Sequence, residues 1–356
     1  MRSGRMGDFL VAVPALAAVR QRWPGVPVIL LTALSSNSVI ARNAASYAGT
    51  AIPPWIEWFR GSLFDEVVMA GDWKSLRAWW RLRRELNRFN FQETFLLPYY
   101  GEKRLRRWQK WWWVRSLGIY GRVHAAREDS GAPPPGVSFQ AWAPFGVVVS
   151  ALAEDVTLPA SPQLHLESAA ENFAEDIWRQ HELRGQKVAA IFSAGTHAHK
   201  VWPSDRFAQI ADWLVVHGVR VLLIGADRDR ALSAQVTACM NGAKCLDLTG
   251  ATTLSQLAAV LRRCALFVGN DGGPAHLAAA LGVRCVTLMS GIHGERAWDP
   301  LGGGNIAVRF KTACYVCRSE FSCPTGTRAC IEGIEVAAVV AACKRQLTTY
   351  TESHLQ

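Results

Sequence analysis

Residues 265–282 read ALFVGNDGGPAHLAAALG, and this stretch decides the fold of the second half of the chain. The apolar run before Asp271 predicts a buried β-strand, and the run after Pro274 predicts a helix that ends at Gly282. The two glycines of the turn let the backbone approach a ligand without a Cβ in the way. Because N–H groups at a helix start have no partner within the helix, such a turn is typical of a phosphate or diphosphate site. The alternative is a turn that binds nothing, since many strand-to-helix turns contain glycine.

The composition indicates a folded chain with room for about two domains. Of the 356 residues, 50% are hydrophobic and 19% are charged, so the chain is able to bury a substantial apolar area. No apolar run approaches the roughly 20 residues that a membrane-spanning helix needs, and the first residues lack a small-residue cleavage site. We therefore expect a cytoplasmic protein, either in solution or at the inner face of the cytoplasmic membrane.

The excess of positive charge is concentrated in one part of the chain. Between Asp72 and Arg122 there are 13 Lys and Arg against 4 Asp and Glu, a net charge of +9, together with seven of the 15 tryptophans. Basic residues interleaved with Trp suit an anionic membrane surface. The alternatives are two amphipathic helices with Trp in the core, and a nucleic-acid site. Since no nucleic-acid motif accompanies the charge, we expect no nucleic-acid partner and interpret residues 73–122, the Trp/Arg stretch, as a peripheral membrane contact.

Four of the nine cysteines form a cluster with the spacing C-x2-C-x5-C-x6-C. They are Cys314, Cys317, Cys323 and Cys330. One C-x-x-C pair suits a zinc site, but the second pair lacks that spacing. Three interpretations stay open: a structural zinc site, a redox-sensitive disulfide, and free thiols in an ordered loop. We expect no metal at the functional site.

Helix and strand signals alternate along both halves of the chain, which predicts parallel sheets. We expect an α/β protein with two Rossmann-like domains whose sheets face across a cleft. The predicted domains are residues 1–160 and 165–335, followed by a C-terminal helix and tail at 336–356. The loop SGRMGD (residues 3–8) and its helix look like the end of a first βα unit without its strand. We therefore expect the true start to lie upstream.

Two further segments contain residues that are suited to phosphate binding or to proton transfer. Ser193, Gly195 and Thr196 follow a predicted strand, where small and hydroxyl residues approach phosphate, and Lys200 neutralises phosphate charge as a point cation. A solvated loop lysine is the commoner role. Asp8 begins the first predicted helix, so the sequence by itself favours a helix cap, although the same carboxylate at a cleft mouth would serve as a general base.

Six segments of the chain occur in the order seen in a known enzyme family. They are Met6-Gly7-Asp8 with Pro14-Ala15-Leu16, Lys200-Val201-Trp202-Pro203, the strand VRVLLIGADRD, Leu248-Thr249-Gly250, Asn270 to Leu277, and the cysteine cluster. With these segments the chain resembles glycosyltransferase family 9, the heptosyltransferase-like enzymes of bacterial cell-surface glycolipid synthesis. The resemblance runs from Gly7 to about Gly333 and is better in the second half.

The resemblance implies a GT-B fold with the acceptor on the N-terminal domain and a nucleotide-diphosphate sugar, most plausibly ADP-heptose, on the C-terminal domain. It implies an inverting transfer without metal or other cofactor to a lipopolysaccharide-type, lipid-linked glycan. By similarity Asp8 is the catalytic base, while Lys200 and Asp271 act at the donor. The donor-binding residues are Ser193, Gly195, Thr196, Asp229 at the ribose, Thr249 and Gly250 at the base, and Gly272, Gly273 and His276 at the diphosphate.

The family usually has threonine where this chain has Gly272, which removes one hydroxyl contact to the donor. Two other functions fit the same residues. One is a nucleotide-sugar-binding protein of the GT-B fold without turnover, and the other is a nucleotide-sugar epimerase, which needs no lipid acceptor.

Overall fold

A computed structural model of the chain describes residues 6–32, 52–69, 76–97, 104–125, 133, 137–152, 164–242, 244–302, 304–319 and 322–354. The chain divides into two compact units, Met1–Pro134 with Ser138–Leu164 and Pro135–Val137 with His165–Gln356. We call them the N-terminal unit and the C-terminal unit. In both units every described strand pair is parallel, which confirms the predicted α/β fold with parallel sheets.

The described strands of the N-terminal unit form two parallel pairs. β1 (Ile29–Thr32) pairs with β2 (Glu66–Met69), and β3 (Glu93–Leu96) pairs with β4 (Arg122–Ala125). The helices are α1 (Met6–Leu10), α2 (Val13–Arg22), α3 (Pro54–Glu57), α4 (Leu76–Leu86), α5 (Arg104–Ser116) and α6 (Phe139–Leu152). Helices and strands thus alternate along the unit. The upstream strand expected before residue 6 lies outside the described residues.

The two helices of the Trp/Arg stretch, α4 and α5, share one apolar cluster. Leu82 and Leu86 of α4 are buried in it together with Val114 and Leu117 of α5. Residues four apart lie on one face of a helix, so the buried side of α4 is defined by this pair. Trp79 of α4 is partly buried against the same cluster, and the exposed residues of the helix lie on its other faces.

The C-terminal unit is built on one six-stranded parallel sheet with the order β10-β9-β8-β5-β6-β7. The strands are β5 (Lys187–Phe192), β6 (Val219–Leu223), β7 (Leu246–Asp247), β8 (Leu266–Asn270), β9 (Cys285–Met289) and β10 (Ile306–Arg309). The helices are α7 (Ser168–Gln180), α8 (Ser204–Val216), α9 (Arg230–Cys239), α10 (Leu254–Arg262), α11 (Gly273–Ala280), α12 (Ala329–Glu332) and α13 (Val336–His354). Because β5 lies between β6 and β8, strand order reverses there, and such a switch point is where open α/β sheets bind ligands.

The contact between β5 and β8 is unusually close at its last residue pair. Phe192 of β5 is in register with Gly269 of β8. A Cβ at position 269 would lie 2.7 Å from the carbonyl oxygen of Phe192. Glycine is therefore required here for close packing of the two backbones rather than for an unusual turn.

Helix α13 belongs to the core of the C-terminal unit. Val339, Ala342 and Cys343 are buried in the same apolar cluster as strands β5, β6, β8 and β9. The helix predicted within 336–356 is observed at Val336–His354, and it completes the packing of this unit. Among the described residues, no helix has the length and apolar character needed to cross a membrane.

Candidate functional site

The two candidate anion-binding segments leave the sheet from neighbouring strands. The β5 loop (residues 193–203) follows β5, and the β8 turn (residues 271–273) follows β8. Since β5 and β8 pair in parallel, both segments emerge at the same edge of the sheet. The structure therefore brings the predicted phosphate-binding residues of both segments together at the switch point.

Three charged or ionisable side chains meet at this edge. Lys200 Nζ lies 3.8 Å from Asp271 Oδ2, and His276 Nε2 lies 3.9 Å from Asp271 Oδ1. The side chains of Lys200 and Asp271 are only 16% and 13% exposed. Both distances exceed hydrogen-bond length, so neither Lys200 nor His276 is hydrogen-bonded to Asp271 through these atoms. A partly buried ammonium in this position is suited to attract an anion, because low dielectric strengthens the attraction.

The start of α11 presents two backbone N–H groups. Gly272 caps the helix in a fully extended conformation, with φ 179° and ψ 178°. Its carbonyl accepts the N–H groups of Ala275 and His276, so these two groups are already bonded. Pro274 has no N–H. In the described part of the chain, the N–H groups of Gly272 and Gly273 are the ones left for an anion at this helix start.

The β5 loop places its predicted residues differently. Ser193 is buried and its carbonyl accepts a hydrogen bond from Asn270. Gly195 is half-buried, and a Cβ there would meet Val201 at 3.1 Å. Thr196 is exposed. A short 3-10 turn then brings Lys200 toward the β8 turn, so that lysine is the one charged side chain of this loop beside Asp271.

The residue before this lysine, His199, was not among those predicted from the sequence. Its side chain is 8% exposed, and its Nε2 makes no hydrogen bond to any described residue. Burial lowers the pKa of His199 below its usual range, and the nearby charges of His197 and Lys200 lower it further. The imidazole is therefore neutral near pH 7. The run HAHK contains it, but the sequence carries no signal of its burial.

A loop from late in the chain is hydrogen-bonded to the β5 loop. Arg328 of the cysteine loop (residues 312–330) donates from Nη2 to the carbonyl of Val201 at 2.7 Å. The N–H of Val316 donates to the carbonyl of Gly291 at 2.8 Å. The cysteine loop thereby connects the loop after β9 with the segment that carries Lys200.

The four clustered cysteines are free thiols, and each is half-buried. Among the described residues, no group of three or more His, Cys, Asp or Glu is arranged to hold a metal ion. Hydrogen bonds with the Thr325 hydroxyl and from the Arg328 N–H lower the pKa of Cys323 to about 7.

The residues predicted to contact the nucleoside lie together at the ends of β6 and β7. Asp229 is 7% exposed, and its Oδ2 accepts the N–H of Ala226 at 2.9 Å. The hydroxyl of Thr249 is buried and shares a 2.7 Å hydrogen bond with Ser233. Gly250 has a φ of 72°. Both side chains are therefore hydrogen-bonded within the turns, and the second oxygen of Asp229 lies 3.6 Å from Nε of Arg228.

An aromatic side chain adjoins this site that sequence analysis missed. The ring of Trp298 lies 6.0 Å from that of His276 and 6.1 Å from that of His293. Trp298 follows β9 in an irregular segment whose sequence gives no periodicity to place it. The remaining predicted residue, Asp8, is the third residue of α1 in the N-terminal unit, and its side chain is not among those described.

A comparison of the sequence with protein-family models identifies a matching family. The family model described as "Glycosyltransferase family 9 (heptosyltransferase)" matches residues 147–325. Lipopolysaccharide heptosyltransferase 2 of Escherichia coli (strain K12) is 30% identical over 142 residues, which cover 38% of this chain and 40% of that protein. The chain thus matches about two fifths of the length of this curated relative.

Two solved structures resemble the chain over nearly its whole length. The glycosyl transferase family 9 structure from Veillonella parvula DSM 2008 has a TM-score of 0.70 at 18% identity and covers 98% of this chain and 96% of its own. The Escherichia coli ADP-heptose lps heptosyltransferase II structure has a TM-score of 0.65 at 17% identity, covering 98% and 97%. At this identity the likeness establishes the fold, GT-B with two Rossmann-like domains.

The two glycines at the site respond differently to an added methyl group. At Gly272 the extended backbone suits any residue, and a Cβ would meet one atom of Phe192 at 3.3 Å. At Gly250 the positive φ is joined by 2.9 Å contacts with Arg230 and with the backbone of Asp227. We expect Gly272→Ala to change the free energy of unfolding by less than about 1 kcal/mol and Gly250→Ala to lower it by more than about 1 kcal/mol. Chemical denaturation of both variants checks this, and equal losses would contradict it.

Proposed function

The chain belongs to glycosyltransferase family 9, and on that basis we propose that it transfers a heptose-like sugar from a nucleotide-diphosphate donor to a lipopolysaccharide-type acceptor. The observation that carries the proposal is the meeting of Lys200, Asp271 and the start of α11 at the switch point of the C-terminal sheet. A cation and two backbone N–H donors at one edge of the sheet support a diphosphate site there.

The donor diphosphate is proposed to lie against the β8 turn. There the N–H groups of Gly272 and Gly273 and the ammonium of Lys200 face its negative charge. Charge increases on the diphosphate as it leaves, so groups held in place beforehand stabilise the transition state most. We propose that these fixed donors take the place that a divalent cation has in other nucleotide-sugar enzymes.

The nucleoside is proposed to lie over the ends of β6 and β7. The carboxylate of Asp229 has one oxygen on the Ala226 N–H, and its other oxygen lies 3.6 Å from Nε of Arg228. That second oxygen is suited to a ribose hydroxyl. The base is proposed to contact the backbone at Thr249 and Gly250. We propose ADP-heptose as the donor because one structural relative is named an ADP-heptose enzyme.

The transfer is proposed to occur in one step with inversion. The acceptor hydroxyl oxygen bonds to the anomeric carbon as the bond from that carbon to the diphosphate oxygen breaks. The diphosphate leaves with the electron pair, and the hydroxyl proton passes to the carboxylate of Asp8. Asp271 is proposed to lie beside the donor sugar and diphosphate.

The acceptor is proposed to be a lipid-linked glycan, reached by holding the N-terminal unit against the inner face of the cytoplasmic membrane. The face of α4 that turns away from the apolar cluster carries Leu76 and Trp80, which are 78% and 63% exposed. Arg77, Arg81 and Arg84 are exposed on the same helix. Large apolar side chains among cations suit the headgroup region of an anionic bilayer.

The donor site is tested first with a thermal-shift panel of ADP, GDP, UDP and CDP. A nucleotide present at a hundred times its dissociation constant adds roughly 2.7 kcal/mol of stability, or roughly 5 to 10 °C in Tm. We expect ADP to give this shift with or without EDTA and Lys200→Ala to remove most of it. A Tm unchanged by all four nucleotides would contradict the donor site, and a shift that EDTA abolishes would contradict fixed donors in place of a metal.

Turnover separates a transferase from a binding protein and from an epimerase. With ADP-heptose and a lipopolysaccharide-core acceptor, we expect ADP release that depends on the acceptor and falls about 10²- to 10⁴-fold in Asp8→Asn. Donor affinity of Asp8→Asn, measured by calorimetry, is expected to match that of the wild type. Donor binding without ADP release would indicate a binding protein, and acceptor-independent isomerisation of the sugar would indicate an epimerase.

Membrane contact is tested by sedimentation with liposomes that contain anionic lipid. Each cation near such a surface contributes about 1 kcal/mol, so replacing Arg77, Arg81 and Arg84 together with Gln should weaken binding by roughly 100-fold. The matched control carries the same charge change in the C-terminal unit, at Arg220, Lys244 and Lys344, which are all exposed. Equal weakening in both triple variants would mean that net charge alone governs binding and would contradict a contact at α4.

A further inference from the structure

Asn270, the last residue of β8, has a fully buried side chain that makes three hydrogen bonds. Its Nδ2 donates to the carbonyls of Ser193 and Ala194, both at 3.0 Å. Its Oδ1 accepts the backbone N–H of Trp202 at 3.1 Å. Asn270 itself is 0% exposed. Both N–H donors of the amide and its oxygen are therefore engaged with backbone groups of one other segment.

These hydrogen bonds close the β5 loop at its two ends. The partners at positions 193 and 194 begin the loop, and Trp202 is near its end. Between them lies Lys200. The backbone ladder between β5 and β8 stops at the pair Phe192 and Gly269, so the side chain of Asn270 continues the connection beyond the last pair.

The same residue precedes Asp271. A single buried amide therefore connects the loop that carries Lys200 to the strand end that carries Asp271. The 3.8 Å separation of the ammonium and the carboxylate depends on the position of the β5 loop relative to β8. A shift of the loop by an ångström would move Lys200 relative to the N–H groups of the β8 turn, and displacements of this size cost enzymes much of their activity.

We propose that Asn270 is a positioning residue of the donor site, which sets Lys200 against the β8 turn by clamping both ends of the β5 loop. The inference rests on the proposed function, since it concerns the same diphosphate. Only an asparagine side chain meets the requirement here. An aspartate of the same shape accepts from Trp202 but has no N–H for the two carbonyls, and a glutamine is one methylene longer.

A merely structural role would show itself as lost stability alone. The control is therefore Val268→Ala, which removes buried apolar atoms from the same strand two residues earlier, at a position that takes part in none of the three hydrogen bonds of Asn270. It should lower Tm and leave the affinity of the folded protein for a nucleotide unchanged.

The test measures ADP affinity by calorimetry in wild type, Asn270→Asp, Lys200→Ala, the double variant and Val268→Ala. We expect Asn270→Asp to weaken ADP binding about tenfold, and Val268→Ala to bind as wild type does. Because Asn270 acts through Lys200, the double variant should bind ADP about as weakly as Lys200→Ala alone. Asn270→Ser, which buries no charge, is measured alongside and decides the question by the same comparison if Asn270→Asp does not fold.

The outcomes separate this inference from the proposed function. Wild-type ADP affinity in a folded Asn270 variant would overturn the positioning role while leaving the donor site intact. Additive losses in the double variant would also overturn it, since the two residues would then act independently. Absence of ADP binding by the wild type would overturn the proposed function and this inference together.

Discussion

The amide of Asn270 is the contact on which the geometry of the switch point depends. Where two parallel strands end, the backbone ladder ends with them, and the carbonyls that follow must find other donors if they are buried. Here Ser193 and Ala194 find theirs in one side chain of the neighbouring strand. Gly269, one residue earlier, allows the two backbones to approach closely enough for this to happen.

The positions of the charged groups at the site follow from this contact between the β5 loop and β8. Lys200 and Asp271 are mostly removed from water, yet their separation of 3.8 Å leaves them short of a closed ion pair. A tighter pair would neutralise more of the positive charge that the proposed diphosphate site requires. The Arg328 hydrogen bond to Val201 adds a further support to the same loop. The charged groups thus belong to backbone segments that are fixed by several hydrogen bonds.

Sequence patterns indicate residues next to strand ends and overlook residues whose contacts join distant segments. Lys200 and Asp271 were predicted to act at the donor from the family resemblance, and the structure brings their charged groups within 3.8 Å of each other. Asn270 was seen only as part of a motif, since its bonds reach partners 68 to 77 residues away along the chain. Thr249 was predicted to contact the base, and the structure adds that its hydroxyl is hydrogen-bonded to Ser233.

The sequence by itself determined the alternation of helices and strands, the glycine turn before α11 and the concentration of charge in the Trp/Arg stretch, because each depends on neighbouring residues and on periodicity. Only the tertiary structure decided that β8 lies beside β5, that α13 completes the core, and that the four clustered cysteines lie half-buried in a loop that supports Val201. The physical reason is that burial and hydrogen bonding between distant segments depend on how strands are ordered in the sheet. That order is a property of the whole packed unit, and no short window of residues contains it.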